Sequence, residues 1–169
     1  INGVVSYHAP QTDLDTKLAT SIAAEGSEKT NISIQQALNN PELLSDCKNS
    51  IYFPSAISFE TDKYEILPSG EFNLYKISKV LEASPAKTFV VTGHSDSRGD
   101  EKPNGYANNV ELSEKRAAAV AAWFVEHAGF SPDRFEIQGA GSKFPLTDNP
   151  KLFSTNRRVE IGAKCEVKE

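Results

Sequence analysis

Apolar residues along this chain keep two rhythms, one of period two and one of period near 3.6, and the switches between them outline its elements. Ile57 and Phe59 alternate with Ala56 and Ser58, which predicts a strand, with Pro54 placing it at an edge or delaying its start. Leu74, Ile77 and Leu81 then share a helical face, widened by Phe72 or Val80, over about 69–84. Leu67-Pro68-Ser69-Gly70 opens that helix and Ser84-Pro85 ends it. A β-branched run at 88–92 predicts a buried strand, and a polar loop follows over 93–110. Ser113 reads as the cap of the strongest helix, whose stripe is Ala117, Val120, Ala121, Phe124 and Ala128, with Gly129 closing it. Trp123 lies off that stripe and reads as a half-buried edge residue or a partner surface. Strands at 134–138 and 157–163 flank a second polar loop.

The order is strand, helix, strand, helix, strand, strand. It predicts an α/β fold of the two-layer α+β type, a four-stranded mixed sheet covered by helices. Ahead of it, residues 1–46 form a short helical extension, with helical spacing at 13–25 and 33–44 and a break at Asn39-Asn40-Pro41. Its apolar content fits a partly ordered linker as well as a packed subdomain. The expected division is an extension at 1–46 and a main domain at 47–169.

Charge sharpens that division. The chain carries 18 basic and 23 acidic residues, a net charge of −5. Two basic and six acidic residues fall in 1–46, which leaves 16 against 17 in the remainder. The body is near neutral, so nucleic acid is not an expected partner. No apolar run approaches the length of a membrane span. The chain starts at Ile1 and holds no methionine, which reads as a processed or cut protein whose anchor or export signal lay upstream.

Cys47 and Cys165 bracket the body without any CxxC pair or Cys/His cluster, so no metal is expected. A disulfide in an oxidising compartment is the favoured reading, against two separate buried thiols. His94-Ser95-Asp96 does not make a catalytic triad, because adjacent residues cannot line up as nucleophile, base and orienter. Gly93 and Gly99 lack the helix that a phosphate loop needs, and no cofactor is expected.

Asp96 and Arg116 are the leading site candidates: an acceptor-only anion ending a strand, and a planar five-donor cation in a helix. With Ser113 as the cap, Arg116 falls in the first turn, where the helix dipole disfavours a cation by about 0.3 to 1 kcal/mol. A residue held against its local field points to binding. The local alternative is a salt bridge to Asp96 or Glu114.

Thr92-Gly93-His94-Ser95-Asp96, 109–117 (NVELSEKRA), Gly139-Ala140-Gly141 and 156–161 (NRRVEI) together resemble the OmpA-type peptidoglycan-associating domain over about 51–163. Phe59-Glu60-Thr61-Asp62-Lys63 resembles that family's first-strand segment, with Glu60 where Asp is common. The resemblance implies a non-catalytic domain in which Asp96 and Arg116 hold the diaminopimelate of the cell-wall peptide. A carboxylate suits the ligand's ammonium and a guanidinium fork its carboxylate. Asn109 would contact the ligand or brace the loop, and Asp62 and Thr61 fall at further polar contacts. One of Arg157 and Arg158 would face the pocket. The long loop with Gly105-Tyr106 before Asn109 is similar to the periplasmic domains of MotB-like stator proteins and of MotB-like accessory subunits of type I secretion systems. That implies a periplasmic domain tethered to the inner membrane by an upstream helix. Its partners would be peptidoglycan, a channel or secretion subunit, and a second copy in a homodimer. The rival readings are a protein-interaction module that lost its ligand, and an outer-membrane lipoprotein of the Pal type.

Overall fold

A computed structural model describes residues 29–60, 62–98 and 105–165. The helical spacing at 13–25 and the residue Thr61 lie outside the described residues. Five strands form one mixed sheet: β1 (Thr30–Ile32), β2 (Asn49–Pro54), β3 (Phe89–His94), β4 (Phe135–Gly141) and β5 (Arg158–Ala163), in spatial order β1-β2-β5-β3-β4. β1–β2 and β3–β4 are parallel, while β5 runs antiparallel to both β2 and β3. The expected strand and helix order is present. A fifth strand precedes it, because Thr30, Asn31 and Ile32 pair with Asn49, Ser50 and Ile51.

After β1 comes α1 (Ile34–Asn39), whose Ser33 cap and Gln36 bond each other's backbones in a capping box. Asn40 and Pro41 end it, and a 3₁₀ turn over Pro41–Ser45 continues to the body. Ala37 and Leu44 from this stretch are fully buried in the common core. The long helices are α2 (Pro68–Ala83) and α3 (Gly105–Ala128). α2 buries Leu74, Ile77, Val80 and Leu81, so Val80 rather than Phe72 widens its stripe. α3 buries Ala117, Val120, Ala121 and Phe124, and Gly129 with φ 78° ends it in the left-handed conformation. Trp123 is buried too, donating from Nε1 to Glu71 Oε2 at 3.3 Å and so linking α3 to α2.

The first strand lies earlier than the alternation of Ile57 and Phe59 suggests. Ile51 and Phe53 are its inward pair, Pro54 is its last residue, and Ile57 is 53% exposed. Proline cannot donate to a ladder, so the chain leaves the sheet there. Phe59 still enters the core, edge-on to Phe53, through a single bridge to Ile66.

Ser113 does not cap α3. The helix begins two turns earlier, and the Ser113 hydroxyl donates to Val110 O at 2.8 Å while accepting from Gly141 N at 3.1 Å. A serine whose hydroxyl is satisfied in this way sits in a helix interior at little cost. Here α3 lies almost on the sheet. A Cβ at Gly93 would fall 1.9 Å from Ser113 O, and one at Gly139 would fall 2.7 Å from Glu114 Cβ. Glycine at these positions is required by close approach, not by turning.

The sheet face away from α2 and α3 is polar and buried. Arg158 donates from Nε to Glu160 Oε2 at 2.9 Å, and from its terminal nitrogens to Asn156 O and Phe144 O, each at 3.1 Å. His94 Nε2 lies 3.2 Å from Glu160 Oε1, close but not aligned as a hydrogen bond. Burial lowers the His94 pKa, against the pull of Glu160. Burial raises Glu160, but His94 and Arg158 outweigh it and leave its carboxyl below the usual range. The disulfide is present: Cys47 and Cys165 are joined with Cα atoms 5.0 Å apart at a sequence separation of 118. In the chain-entropy view such a loop closure contributes about 4 to 5 kcal/mol.

Two expectations follow from this packing. Gly93→Ala forces β3 and α3 apart and lowers unfolding free energy by about 3 kcal/mol or more, read as a shifted urea midpoint. His94 is held neutral in the fold but gains a proton in the unfolded chain below about pH 6.5, so stability falls as pH drops through that value. His94→Gln flattens the stability profile between about pH 5 and 7, removing up to about 1.4 kcal/mol per pH unit, whatever its effect at neutral pH.

Candidate functional site

Four segments meet where α3 touches the sheet: the stretch after β2, the turn after β3, the first turns of α3, and the residue just ahead of β5. They enclose a cleft of about 340 Å³. Asp96, Arg116, Asn109 and Asp62 all line it, so the structure brings together every described candidate from the sequence. Arg98 and Arg157 line it as well, with the small residues Ser55 and Ser95 and the apolar Phe59 and Leu112.

Arg116 is positioned from below by the turn at 60–63. Lys63 N donates to Glu60 O at 3.0 Å, and Asp62 closes the turn with φ 62°. Asp tolerates this left-handed region better than most residues. The turn aims two carbonyls at the guanidinium: Nε donates to Lys63 O at 2.8 Å and Nη2 to Glu60 O at 3.1 Å. The guanidinium carbon lies 5.0 Å from the centre of the Phe59 ring. Glu60 therefore serves through its backbone, while its side chain pairs with Lys63 at 3.2 Å on the surface.

Arg116 is only 6% exposed, yet among the described residues it forms no ion pair, with Asp96 or with Glu114. Burial foremost, then the charge of Arg157, lower its pKa to about 10, with Asp62 opposing. Arg116 also sits three turns into α3, so the dipole argument for its oddity lapses; what is unusual is a buried cation without a counter-ion.

Asp96 is the mirror case, 5% exposed and crowded with donors. Its Oδ1 accepts from Arg98 N at 2.9 Å. Its Oδ2 accepts from Arg157 Nη1 at 2.5 Å and from Arg98 Nε at 3.0 Å, with Arg98 Nη2 at 2.8 Å. Burial raises the Asp96 pKa, but the bonds from Arg98 and Arg157 outweigh it and hold the carboxyl below the usual range. Arg157 is thus the cleft residue of the adjacent pair, and Arg158 belongs to the buried network on the other side of the sheet. Asn109 Nδ2 donates to Arg98 O at 3.3 Å and braces the turn that carries Arg98. The buried hydroxyls of Ser55 and Ser95 find no hydrogen-bond partner.

Sequence reasoning missed Arg98, Ser55 and Ser95. Arg98 had a local signal: an aspartate two residues ahead of a backbone N–H commonly closes an Asx turn, which folds the next long side chain back over the carboxylate. Ser55 and Ser95 had none. Among the described residues no cluster of His, Cys, Asp or Glu forms a metal site, and no helix is long and apolar enough to cross a membrane.

Comparison with known proteins fits this geometry. The peptidoglycan-binding protein ArfA of Mycobacterium tuberculosis is 32% identical over 107 residues, 62% of this chain and 31% of that protein. The cell wall anchor of the type VI secretion system from Pseudomonas aeruginosa matches with a TM-score of 0.54 at 28% identity, over 64% of this chain and 75% of that one. A putative MotB-like protein from Desulfovibrio vulgaris matches over 91% of this chain and 99% of that one, with a TM-score of 0.59; at 17% identity it speaks for the fold alone. The chain spans about half or less of the length of the curated relatives it matches. The OmpA family model matches residues 58–158, a span that takes in Asp62, Asp96, Arg98, Asn109, Arg116 and Arg157. With that match over more than half its length, the chain belongs to the OmpA family.

Proposed function

We propose that the cleft binds the stem peptide of peptidoglycan through its diaminopimelate, without catalysis, and that the domain anchors a cell-envelope complex to the wall. The observation that carries this reading is Arg116: a buried guanidinium that forms no ion pair among the described residues, set in a cleft with a buried carboxylate. Burying an unpaired charge costs several kcal/mol unless something pairs with it. Nε and one hydrogen of Nη2 are committed to backbone carbonyls, which leaves Nη1 and the second hydrogen of Nη2 as a fork for an incoming carboxylate. Asp96 supplies the complementary anion. A zwitterionic head group, bearing ammonium and carboxylate on one carbon, matches that pair; a plain anion or cation matches half of it.

The relatives support the wall as the target. One is named a peptidoglycan-binding protein and another a cell wall anchor. The parent assembly we infer is an inner-membrane stator or secretion unit in the periplasm, joined to this domain through the front of the chain. The likeness to a secretion system's cell wall anchor and the disulfide support that placement. A homodimer belongs to the same proposal.

The test is co-sedimentation with purified sacculi. Arg116→Ala and Asp96→Ala are each expected to weaken retention by about 30-fold or more, since each leaves the opposite ligand charge buried and unpaired. Arg116→Lys keeps the charge, loses the planar fork and recovers only part of the binding. Folded variants that sediment like wild type remove the peptidoglycan reading and favour the interaction-module alternative.

A further inference from the structure

Arg98 has no part in the pairing of Asp96 with Arg116, yet it makes more contacts to Asp96 than any other residue does. Its amide holds Oδ1, and its Nε and Nη2 both reach Oδ2. Arg157 meets the same oxygen. Three nitrogens on Oδ2 exceed what its lone pairs accept well, so a further cation that is to reach that oxygen must displace one of them. Among the described residues, the charged groups lining the cleft are three guanidiniums and two carboxylates, so it carries one net positive charge. A zwitterion brings none, and its ammonium meets that surplus first.

The two arginines on Asp96 are not alike. The Arg157 side chain is 26% exposed and the Arg98 side chain 65%. An exposed pair is weak, because water screens it and the long side chain gives up rotamer freedom to form it. Arg98 can leave Asp96 for solvent without moving its backbone, which stays fixed by the Asp96 Oδ1 bond and by Asn109 on its carbonyl. Once it leaves, two guanidiniums face two carboxylates and Oδ2 has a vacant direction.

We propose that Arg98 is an internal stand-in for the ligand's ammonium: it occupies Asp96 in the free protein and is displaced by ligands whose primary ammonium can reach that carboxylate. It thereby screens for zwitterionic head groups over simple carboxylates, which would bind Arg116 but leave Arg98 in place. This inference rests on the reading of the cleft as a stem-peptide site, and it assigns to Arg98 a cost on binding where a contact residue would give a gain.

The experiment measures affinity of the 169-residue chain for a diaminopimelate-containing muropeptide, and for the same peptide with its free diaminopimelate amine acetylated. Wild type, Arg98→Ala, Asp96→Asn and the Asp96→Asn/Arg98→Ala double variant are compared by titration calorimetry, with thermal melts to check folding. Arg98→Ala is expected to bind the amine-bearing peptide about two- to fivefold more tightly, the worth of an exposed ion pair. The gain should vanish for the acetylated peptide and in the Asp96→Asn background. Equal or weaker binding by Arg98→Ala overturns the inference while wild-type binding still supports the site, and so does an equal gain with the acetylated peptide. Failure of wild type to bind the amine-bearing peptide overturns the site reading and this inference together.

Discussion

The backbone of α3 rests directly on the backbone of β3, and the rest of the molecule is arranged around that contact. Gly93 permits it, since any side chain there would collide with the Ser113 carbonyl. Gly139 and Gly141 extend the same contact along β4, against Glu114 and Val110. Asp96 lies three residues past Gly93, and Arg116 lies three residues past Ser113 along the helix. Their shared cleft is therefore a geometric result of seating the helix so low. The Ser113 hydroxyl adds a polar stitch to Gly141, which fixes the helix along its axis as well as against the sheet.

Charge is handled differently on the two sides of the sheet. On one side Arg158 is held by Glu160 and two backbone carbonyls, beside a histidine whose pKa burial lowers. That arrangement favours a unique fold, because every charged partner is internal. On the other side the cations lining the cleft outnumber the anions, and among the described residues one guanidinium forms no ion pair. Arg157 and Arg158 are neighbours in sequence and serve these two opposite purposes. The contrast separates a network built to hold the protein together from one poised to receive something.

What the sequence made legible follows from physics of different range. Helices α2 and α3 and strands β3, β4 and β5 carry strong periodicity, and local pattern suffices for them. β1 is three residues of Thr-Asn-Ile with no pattern of its own, and only its pairing with β2 makes it a strand. The shift of the first strand from Ile57 and Phe59 to Ile51 and Phe53 shows that alternation alone does not fix position; Pro54 was the better marker. Ser113 resembled a cap because serine before a helical stripe usually is one, and its actual partner, Gly141 N, is 28 residues away. Asp96 and Arg116 were identifiable as a pair through the motif resemblance. Their surroundings were not: the carbonyl cradle from Glu60 and Lys63 and the clamp from Arg157 cross 53 to 61 residues of chain.

The Cys47–Cys165 bond has a mechanical side. It joins the chain just ahead of β2 to the chain just past β5, the two strands already paired at Ser50 and Gly162. A pull arriving through the front of the chain would peel β1 and unwind α1 first, since both lie ahead of Cys47. At Cys47 the tension passes into a covalent link and across to Cys165. Everything between those two residues, the cleft included, sits inside the closed ring, so a pull on the front of the chain cannot unravel it end-first past Cys47. Unravelling from the front thus meets a short lead and then a covalent stop.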